Sequence, residues 1–476
     1  MTRNKILGYA IGPIGAAMMG FITLPIITWF YSVEDVGRIS MLQVVASFSV
    51  LLFCLGLDQA YVREYHEHKV KPKLFKTALL PGLILSLVFF GPIFIFDSQL
   101  ISKWLYDIPS TYLTIISIVC FVLSLISRFL SLILRMEERA LAYSMSQLLP
   151  KILFLVFILS TVWLGLTKDA YNLITAHTLS ITAIFLVFAW NTRKEWLSAL
   201  RYKIDYKELN KLLAFGLPLV VGGLAAWGLK VMDKLFLRGM STFSELGVYS
   251  VAASIAGVAA IFAGIFNTIW APMVYKWVNE GVDLAKIDEI SEHLLAAIYF
   301  VTVLSGLFSW ILPYFLPKEY AAIQYLITAC LLGPLFYTLS ETTAVGITIA
   351  RKTKLSMVAS IGAMSINVVG NYILVPRMGA AGAAVSTAVA FWVFYILRTE
   401  LSRLVWRNMP RVKAYLLITL LLVATIIHSV FLKDSSFTVI VWSILLLLGF
   451  IFFRPTVNSV YTKTINIYKQ IGKKHL

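Results

Sequence analysis

Charge is scarce in this chain. Asp, Glu, Lys and Arg make up only 14% of its 476 residues, where a soluble domain carries about 25%. Cysteine is scarcer still. Cys54, Cys120 and Cys330 are the whole complement, each inside an apolar stretch and none in a C-x-x-C pair. That excludes a disulfide framework and a cysteine-based metal cluster, and leaves three small packing residues. No G-x-x-x-x-G-K-[ST] loop is present, so nothing points to ATP hydrolysis by this chain. H-E-x-x-H and G-x-S-x-G are missing too. The longest loops run about 20 residues, too short for a glycosyl-transfer domain. We therefore expect no enzyme, no metal and no cofactor. A membrane-embedded polymerase or ligase would need a long outer loop, and the longest, 97–111, is short.

What the chain does have is apolar length. It is 59% apolar, with a mean hydropathy of +0.83. The apolar residues gather in fourteen blocks: 6–30, 39–57, 77–96, 112–134, 142–164, 170–190, 212–237, 246–272, 293–316, 321–349, 356–375, 380–398, 414–431 and 437–453. A bilayer-crossing helix needs about 20 such residues. Helices satisfy their own backbone groups in hydrocarbon, and the short alternation of a strand barrel is missing. The expected fold class is an all-α integral membrane protein of about fourteen transmembrane helices. Arg3 and Lys5 precede the first block, as they would a signal peptide. The block has no clear small-x-small cleavage site, so it reads as a retained first span.

Forty-one Lys and Arg residues face 24 acids. Thirty of the 41 fall at the N-terminus, in loops after even-numbered spans, or in the tail. The opposite side has eight: Arg38, Lys103, Lys168, Lys234, Arg238, Lys318, Arg377 and Lys433. Three more, Arg128, Lys151 and Lys230, lie within spans. This bias predicts that both termini are cytoplasmic. The weak case is the loop after span 8, where acids outnumber Lys276 and Lys286. A basic face suits an anionic leaflet. Spread over short loops with no recognition module, it does not read as nucleic-acid binding.

Two halves of the chain can be laid over each other. Gly37 and Ser40, after span 1, align with Gly247 and Ser250, after span 7, at an offset of 210. Arg139–Met145 matches Arg351–Met357 at 212, and Thr178 matches Thr387 at 209. The expected domains are an N-terminal six-helix lobe, 1–195, a C-terminal six-helix lobe, 205–405, and residues 411–476 with spans 13 and 14 and a basic cytoplasmic tail. Six spans is an even number, so both halves enter the membrane in the same sense. Transporters built this way hold cargo between the halves and rock one against the other. Gly12, Pro13 and Gly15 in span 1, and Gly216, Pro218, Gly222 and Gly223 in span 7, fit either hinges or close helix packing.

A charge at the centre of a bilayer costs roughly 2.5–3.5 kcal/mol on insertion scales, so it faces a cavity or a partner. Arg128 in span 4 and Lys151 in span 5 sit at about the same depth, ~10–14 Å from the cytoplasmic end. Glu341 in span 10 is near that depth and within one residue of the repeat equivalent of Arg128. Two readings coexist. Either Glu341 pairs with Arg128 or Lys151 and closes a cytoplasmic gate, or the cations line a cavity and bind an anionic headgroup. An Arg fork matches phosphate geometry. Lys230, Asp233 and Lys234 share a face of span 7. They read as a self-neutralised cluster, a second cation site, or a coupling-ion site at Asp233. Asp58 and Arg63 flank the inner mouth of span 2, where they meet a headgroup or cap a helix. Asn267, Asn367 and Asn371 suit interhelical hydrogen bonds as well as sugar binding. His177 and His428 read as packing residues ahead of proton relays.

The chain resembles the Wzx-type flippases of bacterial polysaccharide biosynthesis, in the superfamily that also holds multidrug-and-toxin extruders and lipid II flippases. The resemblance is carried by Gly56–Arg63, Arg135–Arg139, Phe215–Val220, Asp233–Leu237 and Gly379–Ala384, and is strongest over residues 1–400. It implies two six-helix lobes around a cationic cavity in the bacterial inner membrane. It implies a polyprenyl-diphosphate-linked oligosaccharide as cargo, membrane lipid as surroundings, and a polysaccharide polymerase and chain-length machinery as partners. The expected substrate-binding residues are Arg128, Lys151, Arg63, Lys230 and Lys234. Asp233, Glu341 and Asp58 are the expected coupling or gating residues. The rival from another class is an ion-coupled exporter of drugs or small metabolites, which would line its cavity with aromatic and acidic side chains.

Overall fold

The structure is a computed structural model that describes residues 3–431, 435–456 and 458. The basic tail (Lys463, Lys469, Lys473, Lys474), Lys433, and the side chains of Arg3, Lys5 and Pro13 lie outside the described residues. Seventeen α-helices follow one another: α1 Arg3–Phe30, α2 Val33–Phe53, α3 Leu57–Glu64, α4 Lys71–Phe96, α5 Leu100–Tyr106, α6 Thr111–Met136, α7 Ala140–Trp163, α8 Ala170–Asn191, α9 Arg193–Ala199, α10 Tyr206–Met240, α11 Phe243–Ala256, α12 Val258–Asn279, α13 Ala285–Leu307, α14 Ile323–Ile349, α15 Lys354–Val405, α16 Val412–Val430 and α17 Ser435–Phe452. No strand occurs among the described residues.

Among the described residues, eleven helical segments are long and apolar enough to cross a membrane, and Met18–Phe30 and Phe437–Phe452 are shorter apolar helices. The 52-residue α15 is broken at Gly379, whose φ of 53° is open to a residue without Cβ. The two arms fold back on each other: a Cβ on Gly382 would meet the Leu374 carbonyl oxygen at 2.5 Å, and one on Gly370 would meet Ser386 Oγ at 2.9 Å. Span 8 is divided, as α11 and α12. The fourteen expected blocks coincide largely with helix, although block 293–316 leaves α13 at Leu307 and continues in a 3-10 turn at Ser309–Tyr314. The sequence reading missed α5 and α9, seven residues each, because neither is long enough to span.

Short polar residues start the helices. Ser32 Oγ accepts from the Asp35 amide, Ser110 Oγ from Leu113, Asp169 from Asn172, and Asp205 from Lys207 and Glu208. Each satisfies an N-terminal amide that no carbonyl reaches.

By contacts the chain divides into two compact units, ending and beginning at Ser254 and Ile255. In the first, α1 packs on α7, α6 on α8, and α10 on α2 and α3. Glycine sets several approaches. A Cβ on Gly12 would lie 2.7 Å from the Ser144 backbone, and one on Gly216 would lie 2.8 Å from that of Gly56. At these two positions the glycines serve packing. Gly222 faces open space. In the second unit α14 packs on α12, α13, α15 and α16, and α13 also lies on α17. Trp270, Val274, Ile287 and Val345 form a buried cluster there.

Candidate functional site

The two cation-bearing spans of the first half meet different fates. Arg128 projects from α6 about two turns before its end and binds Asp58 of α3, Nη2 to Oδ2 at 2.8 Å and Nε to Oδ2 at 3.2 Å. The Arg128 side chain keeps 33% of its surface exposed, against 12% for Asp58. Asp58 is held in place by the left-handed turn at Gly56, φ 69°, whose missing side chain lets α10 approach at Gly216. Asp58 is therefore the partner of Arg128.

Lys151 lies midway along α7 and is half-buried. Among the described residues it makes no hydrogen bond and no ion pair. One turn on, the Phe154 ring packs edge-on against His177 of α8, centroids 5.1 Å apart. His177 Nδ1 is buried without a partner. An ammonium in mid-span with no counter-charge is costly, so it calls for water or an anion.

Glu341, which one sequence reading set against Arg128 or Lys151, finds a partner within its own unit. Its Oε1 accepts from Arg398 Nη1 at 2.6 Å. Arg398 also reaches Ser340 Oγ at 2.7 Å and lies over the Phe394 ring at 5.0 Å. The physical reason is the fold of α14 on α15, which puts Arg398 beside the 340–341 turn. The sequence reading counted Arg398 as a loop cation at the end of span 12. Its signal was the aromatic pair Phe394 and Tyr395 one turn before it.

On α10 the cluster of span 7 reaches two neighbouring helices. Asp233 is 1% exposed and accepts a hydrogen bond from the Tyr249 hydroxyl of α11. Lys234 Nζ donates to Ser40 Oγ of α2 at 2.9 Å. Lys230 is exposed and forms no ion pair among the described residues. Sequence reasoning did not find Tyr249, which follows the aligned Gly247 by two positions. Beside this network, Arg38 and Arg238 lie over the same Phe243 ring, at 5.1 and 4.7 Å. Both also donate to carbonyls at the end of α5: Arg38 Nε to Tyr106 and Arg238 Nε to Trp104, each at 3.1 Å.

At the other end of α10, Arg63 is exposed and its guanidinium covers the Phe215 ring at 4.5 Å. Lys73 Nζ binds Asp205 Oδ2 at 2.9 Å, and His68 Nε2 meets Glu208 Oε1 at 2.6 Å. The Lys73 hydrogen bond holds the Asp205 carboxyl below its usual range, and Asp205 in turn holds the Lys73 ammonium above its own. The remaining polar residues of interest hold helices together. Asn367 donates to Thr387 Oγ1 at 3.0 Å, Asn371 to the Asn367 carbonyl at 2.9 Å, and Trp442 Nε1 to His428 Nδ1 at 3.3 Å. Asn267 leaves its Oδ1 buried without a partner. Among the described residues no group of His, Cys, Asp and Glu is placed to hold a metal.

Residues 3–277 match the family described as "Polysaccharide biosynthesis protein". An uncharacterized membrane protein of Methanocaldococcus jannaschii is 22% identical over 463 residues, covering 91% of this chain and 90% of its own. Multidrug resistance protein NorM of Vibrio vulnificus is 26% identical over 212 residues, covering 41% of this chain and 45% of its own. Among solved structures, lipid II flippase MurJ in an inward closed conformation superposes with a TM-score of 0.67 at 15% identity, covering 94% of this chain and 99% of that one. An inward-facing multidrug resistance MATE family transporter of the MOP superfamily gives 0.56 at 16% identity, covering 82% and 94%. The fold is the one these transporters share. The matched segment is more than half of the chain, and the chain belongs to the polysaccharide biosynthesis protein family.

Proposed function

We propose that this member of the polysaccharide biosynthesis protein family is a flippase. Its cargo is a polyprenyl-diphosphate-linked oligosaccharide, carried from the cytoplasmic to the outer leaflet of a bacterial inner membrane by alternating access. Both termini are cytoplasmic in this reading, and the lobes 1–195 and 205–405 are the moving bodies. The observation that carries it is Lys151, a mid-span cation with no counter-charge among the described residues. A diphosphate supplies the missing charge. Arg128 keeps a third of its side chain exposed while bound to Asp58, so it has N–H groups left for phosphate oxygens. Arg63 meets the headgroup at the inner mouth, and Lys230 and Lys234 receive it further along. Asp58 and Asp233 hold Arg128 and Tyr249, and Glu341 holds Arg398, so these acids gate or couple movement rather than touch cargo. The sugar travels in water, and the lipid tail stays in the bilayer.

The test is surface glycan in a strain carrying Lys151→Ala as its only copy, with protein level measured in the membrane. Loss of glycan at normal level supports the proposal; normal glycan overturns it. The multidrug reading draws on the partial match to NorM. It predicts altered drug resistance on deletion with surface glycan intact.

A further inference from the structure

The first unit encloses an apolar slot of about 680 Å3, within the range of ligand-holding cavities, about 300–1,000 Å3. One wall is α2 from Met41 to Phe53; the facing wall is α10 at Trp227 and Leu235. Its floor is a run of buried aromatic rings, Phe53 edge-on to Phe90 and Phe90 tilted against Phe121, each pair 5.5 Å between centroids. Its roof is α5. Phe89, Leu100 and Trp104 line it and are about half exposed, so it opens sideways between α4 and α5. These walls are membrane spans, and what surrounds them is lipid. An apolar cavity does not recruit water.

The rim is the second observation. Arg238 lines the slot, and its Nε is fixed by the Trp104 carbonyl. Lys103, next to Trp104, is exposed and makes no side-chain bond among the described residues. Cations are expected to be rare on this side of the spans, eight among 41, yet Arg238 lines this slot and Lys103 adjoins it, its carbonyl accepting from Arg238 Nη2 at 3.4 Å.

We propose that the slot binds one acyl chain of an anionic phospholipid, with the phosphate on Arg238 and Lys103. The chain lies against α2 and stops at the aromatic floor. It thereby joins α10 to α2, α4 and α5 through a lipid wedge. The site shares none of the residues assigned to cargo, and it stands whichever cargo the protein carries.

The test uses full-length protein in detergent, with lipid adducts read by native mass spectrometry. Dioleoyl phosphatidylglycerol, dioleoyl phosphatidylcholine and undecaprenyl phosphate are titrated separately. One saturable phosphatidylglycerol adduct is expected, tighter than phosphatidylcholine and tighter than undecaprenyl phosphate. Val45→Trp, which fills the slot, weakens that adduct roughly tenfold. Ser49→Phe does the same from the next turn and covers the case in which the first variant fails to fold. Arg238→Ala removes the preference for phosphatidylglycerol over phosphatidylcholine. The proposal is overturned if the adduct survives in a folded slot-filling variant, if the two phospholipids bind alike, or if undecaprenyl phosphate binds more tightly. Surface glycan in the Lys151→Ala strain reports on the flippase reading alone, so the two fail separately.

Discussion

Ser250 Oγ donates a hydrogen bond of 2.8 Å to Ser40 Oγ, across 210 residues of chain. The two serines occupy the same place in the two halves of the repeat. Around them the contact is reciprocal. A Cβ on Gly37 would lie 2.3 Å from the Phe243 carbonyl oxygen, and a Cβ on Gly247 would lie 2.1 Å from that of Val33. Phe243 and Val33 are themselves repeat equivalents. Residue i touching j′ while j touches i′ is the signature of a twofold contact. The starts of α2 and α11 thus meet about a local pseudo-twofold axis running between the serines. Lys234 donates to the same Ser40 oxygen and so ties α10 into the junction.

This junction gives the first prediction. In the double variant Ser40→Cys/Ser250→Cys the sulfurs replace hydroxyl oxygens 2.8 Å apart, and they can bond where the Cβ atoms lie about 3.5–4.5 Å apart. The three native cysteines are buried and single. Oxidation is expected to cross-link the pair, read as loss of two alkylatable thiols. If the junction opens during transport, the oxidised protein stops supporting glycan export and reductant restores it. Full export by fully cross-linked protein would show that α2 and α11 stay together throughout the cycle.

The Arg128–Asp58 pair gives the second. Replacing Asp58 with Asn leaves a guanidinium in the span with a weaker acceptor. The expected loss is about 1.5–3 kcal/mol of stability, the range for hydrogen bonds to charged groups, toward the low end because Arg128 is a third exposed. Arg128→Gln costs a similar amount, and the double variant costs less than the two added together. Thermal unfolding in detergent measures all three. Strict additivity would mean that the pair is not coupled.

A third prediction concerns pH, at the Lys73–Asp205 bridge outside the hydrocarbon. Asp205 is held below its usual range, so its contribution is present above the ordinary carboxylate pKa and is lost as pH falls through the lowered value. Lys73 is held above its usual range, so its contribution is complete below the ordinary lysine pKa and fades only as pH rises past it. Between about pH 5 and 9 the bridge is therefore constant. Hydrogen exchange at residues 200–212 should be flat with pH over that window after correction for the intrinsic rate. Asp205→Asn should raise it throughout. A step in the wild-type protein inside that window would overturn the assignment to this bridge.

How far the sequence carried these conclusions differs from residue to residue. The long apolar helices were legible, because each needs a run of apolar residues that nothing else in a chain requires. The gap between blocks 356–375 and 380–398 coincides with the break in α15 at Gly379. The short helices α5 and α9 were not legible, since seven residues hold no clear period. The repeat aligned Ser40 with Ser250 but said nothing about their touching, because alignment gives equivalence and not proximity. Pairing failed for the same reason. Glu341 and Arg128 matched by depth and repeat position, yet Arg398 lies 57 residues from Glu341 in sequence and 2.6 Å from it in space. Depth along a helix is readable from sequence, whereas the face turned to a neighbour depends on packing angles set by many glycines at once.

The last prediction separates charge from packing at Lys151. The side chain has no counter-charge among the described residues, and the Phe154–His177 contact lies one turn away. If Lys151 only fills space, Lys151→Met keeps the stem and loses nothing but the charge, so export should continue. If it binds a diphosphate, Lys151→Met should abolish surface glycan while leaving thermal stability unchanged or raised, because a desolvated cation has been removed. Lys151→Arg keeps the charge in a wider, flatter group, so partial export is expected from it. The order Lys, then Arg, then Met in export, with Met at least as stable as the wild type, is what a phosphate-binding cation requires. Equal export from all three would leave Lys151 as a packing residue and remove the main support for an anionic headgroup in this half of the protein.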